Sequence, residues 1–243
     1  MKRFFTKDIP LGTRKLYTMD HPKAYISESF RMLRTNLMYT NVDRQVKTIL
    51  FTSSGPQEGK STIVSNLAVA MAQTGKKLLL MDCDLRKPVQ HEIFQLTNEI
   101  GLTKYLTGYC SLDEAVQNTQ LPNLNVLSSG PIPPNPAELL GSKSMDRLLD
   151  LLKEQYEVIL IDAPPAIAVA DPIILAGKCD GVIVVVRAGF TKLNALKETK
   201  ELLKKAEAPL LGTVLNDSTM NGGNYYKGYR KYYQQYYRKY YDE

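Results

Sequence analysis

Short apolar runs alternate with segments of helical periodicity between Lys47 and Asn216, and this alternation most constrains the fold. The apolar runs cover residues 48–52, 77–82, 124–127, 158–162, 181–187 and 210–215. Such runs are typical of strands buried on both faces of a parallel sheet. The helical stripes comprise Ile63, Leu67, Ala70 and Met71 in 60–74, and Leu193, Leu196, Leu202 and Leu203 in 192–206. The pattern predicts an α/β fold, a doubly wound and mostly parallel sheet with helices on both faces.

The regions flanking these runs have a different character. Residues 23–41 indicate one amphipathic helix, with Leu33 and Leu37 on the same face. No Leu, Ile or Val follows Leu215, so the last segment has too little apolar surface to offset its chain entropy and is predicted to be a mobile tail. The sequence therefore predicts three parts: an N-terminal helical segment at 1–46, an α/β domain at 47–216 and a flexible tyrosine-rich tail at 217–243.

Charge is concentrated at the two ends of the 243 residues, whose net charge is +6. Residues 1–47 contain ten Lys or Arg against four Asp or Glu, and residues 225–243 contain five against two. A slightly acidic centre argues against a nucleic-acid binder with one continuous basic face. Basic ends suit an anionic membrane surface or an acidic partner equally well.

Cysteine usage and hydropathy indicate a cytoplasmic protein. The three cysteines are an odd number, which favours reduced thiols. No apolar run approaches the ~18 residues of a membrane span, and the basic N-terminus lacks the apolar region of a secretory signal.

A loop of sequence SGPQEGKST follows the first apolar run and precedes the first helix. It fits the phosphate-loop pattern G-x-x-x-x-G-K-[ST], except that Ser54 replaces the first glycine. Lys60 would neutralise β- and γ-phosphate charge, and the Ser61 hydroxyl would contact Mg²⁺. A chance glycine turn before a helix is the alternative. The predicted nucleotide-binding residues are Gly55, Pro56, Gln57, Glu58, Gly59, Lys60, Ser61 and Thr62.

Two other apolar runs end in carboxylates. Asp162 closes a run of the Walker B type, which holds Mg²⁺ directly or through water, although a strand-end aspartate also commonly caps a turn. Asp82 and Asp84 share one face if their strand continues to residue 84, at the carboxyl edge where open α/β sheets bind ligands. Two such acids require a cation or a proton between them, unless Arg86 and Lys87 satisfy them structurally.

Together these motifs resemble those of the bacterial tyrosine kinases (BY-kinases), cytoplasmic enzymes of capsule and exopolysaccharide assembly. The Walker-type motifs match at 55–62, 78–86 and 158–164, and the runs at 128–140 and 162–171 are also typical of the family. The family's E-x-x-R-x-x-R motif matches Glu28, Arg31 and Arg34, and its terminal tyrosine cluster matches the tail. The resemblance covers nearly the whole chain and implies a P-loop NTPase fold.

The resemblance implies an ATP-dependent protein-tyrosine kinase with ATP and Mg²⁺ as cofactors. The implied catalytic residues are Lys60, Asp82, Asp84 and Asp162. The metal ion would be bound by Ser61, Asp84 and Asp162. Asp82 would lie nearest the incoming tyrosine hydroxyl. Asn216 would contact the base, as its counterparts do in related P-loop ATPases.

Nine of the fifteen tyrosines lie in the tail, interleaved with Lys and Arg. They are Tyr225, Tyr226, Tyr229, Tyr232, Tyr233, Tyr236, Tyr237, Tyr240 and Tyr241. Stacking on single-stranded nucleic acid, a membrane-interface role and a functionless tail are alternatives. The resemblance favours phosphorylation sites and no nucleic acid, with each phosphate adding roughly −1.5 to −2 charge.

The resemblance also implies partners. One is a transmembrane adaptor that activates the kinase at the inner face of the cell membrane. Others are further copies of this chain, which would form a ring with contacts at Glu28, Arg31 and Arg34. The third is a cognate tyrosine phosphatase. A solvated charged helix face is the alternative for the three charged residues. Two other functions remain open on the sequence: an ATPase switch of the positioning or partition type, and a non-enzymatic scaffold that assembles with ATP.

Overall fold

The computed structural model describes residues 16–40 and 46–217. The predicted tail, with its nine tyrosines, lies outside the described residues apart from Asp217. In chain order the elements are α1 (Tyr17–Asp20), α2 (Tyr25–Thr40), β1 (Thr48–Ser53), α3 (Lys60–Ala72), β2 (Leu78–Asp82), α4 (Gln90–Phe94), α5 (Leu102–Leu106), α6 (Leu112–Ala115), β3 (Val116–Asn118), β4 (Leu124–Leu127), α7 (Pro136–Gly141), α8 (Lys143–Gln155), β5 (Val158–Asp162), α9 (Asp171–Ala176), β6 (Gly181–Arg187), α10 (Leu193–Lys205) and β7 (Leu210–Asn216).

The seven strands form one sheet in the order β3-β4-β2-β5-β1-β6-β7. All neighbouring pairs are parallel except β3 and β4, which are antiparallel. The predicted α/β sheet is therefore confirmed, although the sequence analysis did not foresee β3. That strand has three residues, Val116, Gln117 and Asn118, of which one is apolar, so it has no recognisable apolar run.

Successive residues of the central strands contribute to two separate cores, one on each face of the sheet. Leu78 and Leu80 of β2 pack with α1 to α4, whereas Leu79 and Met81 pack with the core formed by the later helices. Strand side chains alternate between faces, so a strand covered by helices on both sides must be apolar throughout. This explains the continuous apolar runs in the sequence.

Two predictions of burial are wrong. β7 was expected to be buried on both faces, but it is an edge strand, and Leu210 and Leu215 are exposed. Leu193 was placed on the apolar stripe of α10, but its side chain is 65% exposed because it occupies the first position of the helix, beyond the edge of the core. Leu203 of that stripe is buried as expected.

The N-terminal helices pack against α3 as part of the first core. Leu37 and Phe30 of α2 are buried there, and Leu33 packs partly against the same cluster. In α1, the backbone N–H of Thr18 donates to Asn66 Oδ1 of α3 at 3.0 Å. The predicted division of the chain at residues 46 and 47 stays a prediction.

The three cysteines are free thiols, with Cys83 and Cys179 buried. No helix within residues 16–40 or 46–217 has the length and apolar character that crossing a lipid bilayer requires.

Candidate active site

The predicted phosphate loop joins β1 to α3 at the carboxyl edge of the sheet. Gly59 adopts a left-handed conformation with φ of 87°, and α3 begins at the next residue. The carbonyl of Gly59 accepts the N–H of Ile63, which leaves the N–H groups of the first helical turn directed toward the loop. This arrangement of a glycine turn and a helix start is a general anion-binding site. A glycine turn that precedes a helix by chance would not explain the cluster of charged residues beside the loop.

Lys60 extends from the first position of α3 into a cluster of buried acids. Its Nζ lies 2.5 Å from Asp162 Oδ1 and 4.0 Å from Asp84 Oδ2. The Lys60 side chain is 6% exposed, so its ammonium group is largely removed from water. The structure therefore brings together the lysine and the acids that the sequence analysis selected from three separate segments.

Asp82 and Asp162 are direct neighbours across the β2–β5 pair. Asp82 Oδ2 accepts the backbone N–H groups of Val89 and Gln90, each at 2.9 Å. Burial and then repulsion by Asp162 raise the pKa of Asp82 to about 7, against the opposing effect of these hydrogen bonds and of Lys60. Burial also raises the pKa of Asp84. The site thus holds more acidic than basic groups, a balance that a bound divalent cation would correct.

The predicted arrangement of Asp82 and Asp84 on one strand face is wrong. β2 ends at Asp82, because after this residue the chain turns and the Asp84 N–H donates to Asp82 Oδ1 at 3.2 Å. The turn still brings both carboxylates to the site. The alternative in which Arg86 and Lys87 satisfy the acids structurally holds only for their backbones, which hydrogen-bond Asp84. The Arg86 guanidinium instead forms hydrogen bonds of 2.8 and 3.0 Å with the buried Asp171. Lys87 contributes its backbone N–H to Asp84.

Gln90 belongs to the cluster but was missed by the sequence analysis. Its side chain is fully buried, and its Nε2 donates to Asp162 Oδ2 at 2.7 Å. Its Oε1 lies 2.7 Å from the hydroxyl of Ser65 on α3. The residue lies in a five-residue helix with no sequence motif around it, so nothing in the sequence marked it.

Asn216 contacts the phosphate loop itself. Its Nδ2 donates to the carbonyl of Glu58 at 3.0 Å. The next residue, Asp217, is paired with Arg187, whose Nη1 also donates to the Gln57 carbonyl at 3.3 Å. The predicted contact of Asn216 with a nucleotide base stays a prediction.

The three charged residues of the E-x-x-R-x-x-R motif lie on α2, away from the acid cluster. Arg31 Nη1 forms a salt bridge of 2.6 Å with Glu28, and Arg34 Nη1 donates to the carbonyl of Ala70 in α3 at 2.8 Å. All three are partly exposed. Their predicted role between subunits stays a prediction.

The residues present fit a nucleotide with Mg²⁺. Within the described chain, no group of three or more His, Cys, Asp or Glu could hold a metal ion by itself. Mg²⁺ is commonly bound by one or two carboxylates, water and the phosphates of a substrate. Ser61, Asp84 and Asp162 would hold it, and the loop with Lys60 would hold the phosphates.

The fold and this site define a P-loop nucleotide-binding protein of the parallel α/β class. A family model described as an AAA domain matches residues 46–211. The septum site-determining protein MinD from Pyrococcus horikoshii, solved with Mg-ADP, has 25% identity and a TM-score of 0.63, over 72% of each chain.

The kinase relatives are more similar. The tyrosine-protein kinase YwqD of Bacillus subtilis is 44% identical over 216 residues, which cover 89% of this chain and 91% of the relative. The kinase domain of the Escherichia coli tyrosine kinase ETK has 30% identity and a TM-score of 0.83, over 91% of this chain and 85% of that chain. The chain belongs to the bacterial tyrosine-protein kinase family and is a tyrosine kinase. These relationships favour the kinase over the ATPase switch and the scaffold that the sequence left open.

Proposed function

We propose that this kinase binds ATP and Mg²⁺ at the loop before α3 and transfers the γ-phosphoryl group to tyrosines in the C-terminal tail of another copy of the chain. The observation that carries the proposal is the position of Lys60, which lies between the phosphate loop and the acids Asp162 and Asp84. A lysine that is buried among carboxylates at the start of a helix is placed to exchange one anionic partner for another when phosphates bind.

The chain's own residues supply orientation and charge to the transfer. Lys60 and the N–H groups of the first turn of α3 orient the phosphates, and the Asp82 carboxylate accepts a hydrogen bond from the incoming tyrosine hydroxyl. Mg²⁺, when bound, neutralises charge on the phosphate oxygens. A loose phosphoryl-transfer transition state depends mostly on such positioning and neutralisation. Burial and repulsion by Asp162 raise the pKa of Asp82, which favours acceptance of the hydroxyl proton by this carboxylate.

The proposed substrate segment begins beside this site. Asn216 donates to the carbonyl of Glu58. Asp217 pairs with Arg187, which donates to the carbonyl of Gln57, so the described chain ends beside the phosphate loop. A flexible chain of ~26 residues has a root-mean-square span of roughly 25–30 Å, comparable with the width of a small domain. We therefore propose that the tyrosines after Asp217 are phosphorylated at the site of a neighbouring copy.

Assembly of several copies through α2 would raise the local concentration of tails at neighbouring sites. The exposed side of α2 supports this role, because it carries large apolar side chains together with Glu28, Arg31 and Arg34. These apolar residues are Tyr25, Ile26, Met32, Met38 and Tyr39. Phosphorylated tails would repel one another, so we propose that the unphosphorylated form assembles into a ring and the phosphorylated form dissociates.

The remaining partners follow from the family to which the chain belongs. We propose that a transmembrane adaptor activates the kinase at the inner face of the cell membrane, that a cognate tyrosine phosphatase reverses the modification, and that the cycle regulates synthesis and export of a capsular or extracellular polysaccharide. The protein is then cytoplasmic and reaches the membrane through the adaptor.

The central test measures the mass of the tail after incubation with ATP and Mg²⁺. We expect successive additions of phosphate in the wild-type protein and none in Lys60→Met. Lys197→Met, on the exposed face of α10, is the matched control and should behave as wild type. Phosphorylation that persists in Lys60→Met would refute the site, and hydrolysis of ATP without any change in tail mass would refute the proposed substrate.

A further inference from the structure

The phosphate loop contains a buried carboxylate, Glu58, whose hydrogen bonds hold the loop in place. The Glu58 side chain belongs to a residue that is only 3% exposed, and its Oε2 accepts the N–H of Ser54 at 3.0 Å. Its Oε1 accepts the hydroxyl of Thr191 at 2.8 Å. Within the described part of the chain, Glu58 forms no salt bridge. These two neutral donors are therefore what compensates its burial, and loss of either leaves a costly unsatisfied acceptor.

Thr191 is held in the orientation that this contact requires. Its Oγ1 accepts the backbone N–H of Arg187 at 2.8 Å, and its own N–H donates to the Arg187 carbonyl at 2.9 Å. A hydroxyl has one proton, and a carboxylate can only accept. Because the hydroxyl oxygen already accepts from Arg187, its proton is directed to Glu58. The connection between β6 and α10 is thereby linked to the phosphate loop.

A second hydroxyl from the same side contacts the start of the loop. Thr199 of α10 is fully buried, and its Oγ1 lies 2.9 Å from the Oγ of Ser54. Ser54 is the residue that replaces the first glycine of the phosphate-loop pattern. A glycine at this position would offer no side-chain oxygen to α10, so the departure from the pattern coincides with a contact that only a side chain can make.

We propose that Thr191 is a positioning residue for ATP, which through Glu58 fixes the shape of the phosphate loop, and that Thr199 acts in the same way through Ser54. The loop must keep its N–H groups aimed at the phosphates, and a loop fixed before binding loses less entropy when the nucleotide arrives. The inference rests on the proposed nucleotide site, and it assigns a binding role to the β6–α10 connection, which lies outside the three Walker-type motifs.

The test compares one substitution that removes the Thr191 hydroxyl with one that keeps it. Thr191→Val keeps the size of the side chain and removes the donor to Glu58, whereas Thr191→Ser keeps the donor. We expect the Kd for ATP with Mg²⁺, measured by calorimetry on the full chain, to rise about five- to thirtyfold in Thr191→Val. Thr191→Ser should restore most of the affinity, and kcat at saturating ATP should change less than the Kd.

Thr107→Val is the matched control, because the Thr107 hydroxyl contacts a main-chain carbonyl of α5 rather than the loop. Thr199→Val should weaken ATP binding in the same direction, which provides a second variant. Unchanged ATP affinity in Thr191→Val, with or without a lower thermal midpoint, would overturn the inference, as would equal losses in Thr191→Ser or Thr107→Val. If Lys60→Met also binds and transfers normally, the proposed site fails; if Lys60→Met is inactive while Thr191→Val is normal, only this inference fails.

Discussion

Asn216 Nδ2 lies 2.0 Å from the point where a Cβ on residue 59 would stand. Residue 59 is a glycine at φ of 87°, and the same Asn216 nitrogen donates to the carbonyl of Glu58. The Asn216 side chain therefore occupies the space that a side chain on residue 59 would fill. This relationship links the loop between β1 and α3 to the strand at the far edge of the sheet.

Gly59→Ala should weaken ATP binding about tenfold or more, because the new methyl group displaces Asn216 and also imposes left-handed strain on the backbone. Gly75→Ala is a matched control, with φ of 86° and no heavy atom within 4 Å of its added Cβ. It should cost about 1 kcal/mol of stability, the price of a positive φ alone, and leave ATP binding intact. Titration calorimetry and thermal unfolding separate these effects, and equal ATP affinities in the two variants would contradict the clash.

Asp82→Asn and Asp162→Asn should have different effects. Asp82→Asn keeps an acceptor for the N–H groups of Val89 and Gln90 and removes the repulsion with Asp162. Its amide nitrogen then faces the Asp84 N–H, so these effects oppose each other and the nucleotide-free thermal midpoint should change little. We expect its kcat to fall about 100-fold or more, with ATP affinity within about threefold of wild type.

Asp162→Asn removes the ion-pair partner of the buried Lys60, so it should lower the nucleotide-free thermal midpoint and also weaken binding of ATP with Mg²⁺. Equilibrium binding, single-turnover transfer and thermal unfolding of both variants check this assignment. The separate roles are wrong if both variants simply lose ATP binding.

Asp180 should make the free energy of unfolding depend on pH in the acid range. Burial raises the pKa of its carboxyl, but hydrogen bonds from Lys153 and from Thr48 outweigh burial and hold it below the ordinary aspartate value. A lowered folded-state pKa gives stability that is present above the unfolded pKa and lost as the pH falls through the folded one. Asp180→Asn should therefore cost about 1 kcal/mol at pH 7 and progressively less below pH 4, by urea unfolding. A difference that is constant across this range would contradict the prediction.

Phosphorylation in trans can be tested with two incomplete chains. Lys60→Met provides a tail without activity, and an active chain that ends at Asp217 provides activity without a tail while keeping the Arg187–Asp217 ion pair. When the two are mixed with ATP and Mg²⁺, the tail of the Lys60→Met chain should become labelled. A Lys60→Met tail that stays unlabelled would contradict transfer between chains.

Assembly through α2 should depend on its exposed apolar residues. Tyr39 is 74% exposed, so Tyr39→Glu should reduce self-association and the labelling between chains without lowering the thermal midpoint. Tyr109→Glu, at a residue that is 82% exposed and outside α2, is the matched control and should leave both unchanged. Sedimentation before and after phosphorylation checks assembly, and an identical oligomer in both states would contradict the proposed dissociation. We prefer Tyr39 to Arg34 for this test because Arg34 also holds the Ala70 carbonyl within its own chain.

The sequence by itself determined the order of the central elements and most of the acid cluster. Continuous apolar runs predict strands covered on both faces, and a loop that ends in G-K-S after such a strand predicts a phosphate site, so both follow from local patterns. The tertiary structure alone decided which neighbours these residues have. It ended β2 at Asp82, paired Arg86 with Asp171, brought Gln90 to Asp162, and placed Thr191 and Asn216 against the loop. These contacts join residues far apart in the chain, and the residue types involved serve many structural purposes, so no local pattern marks them.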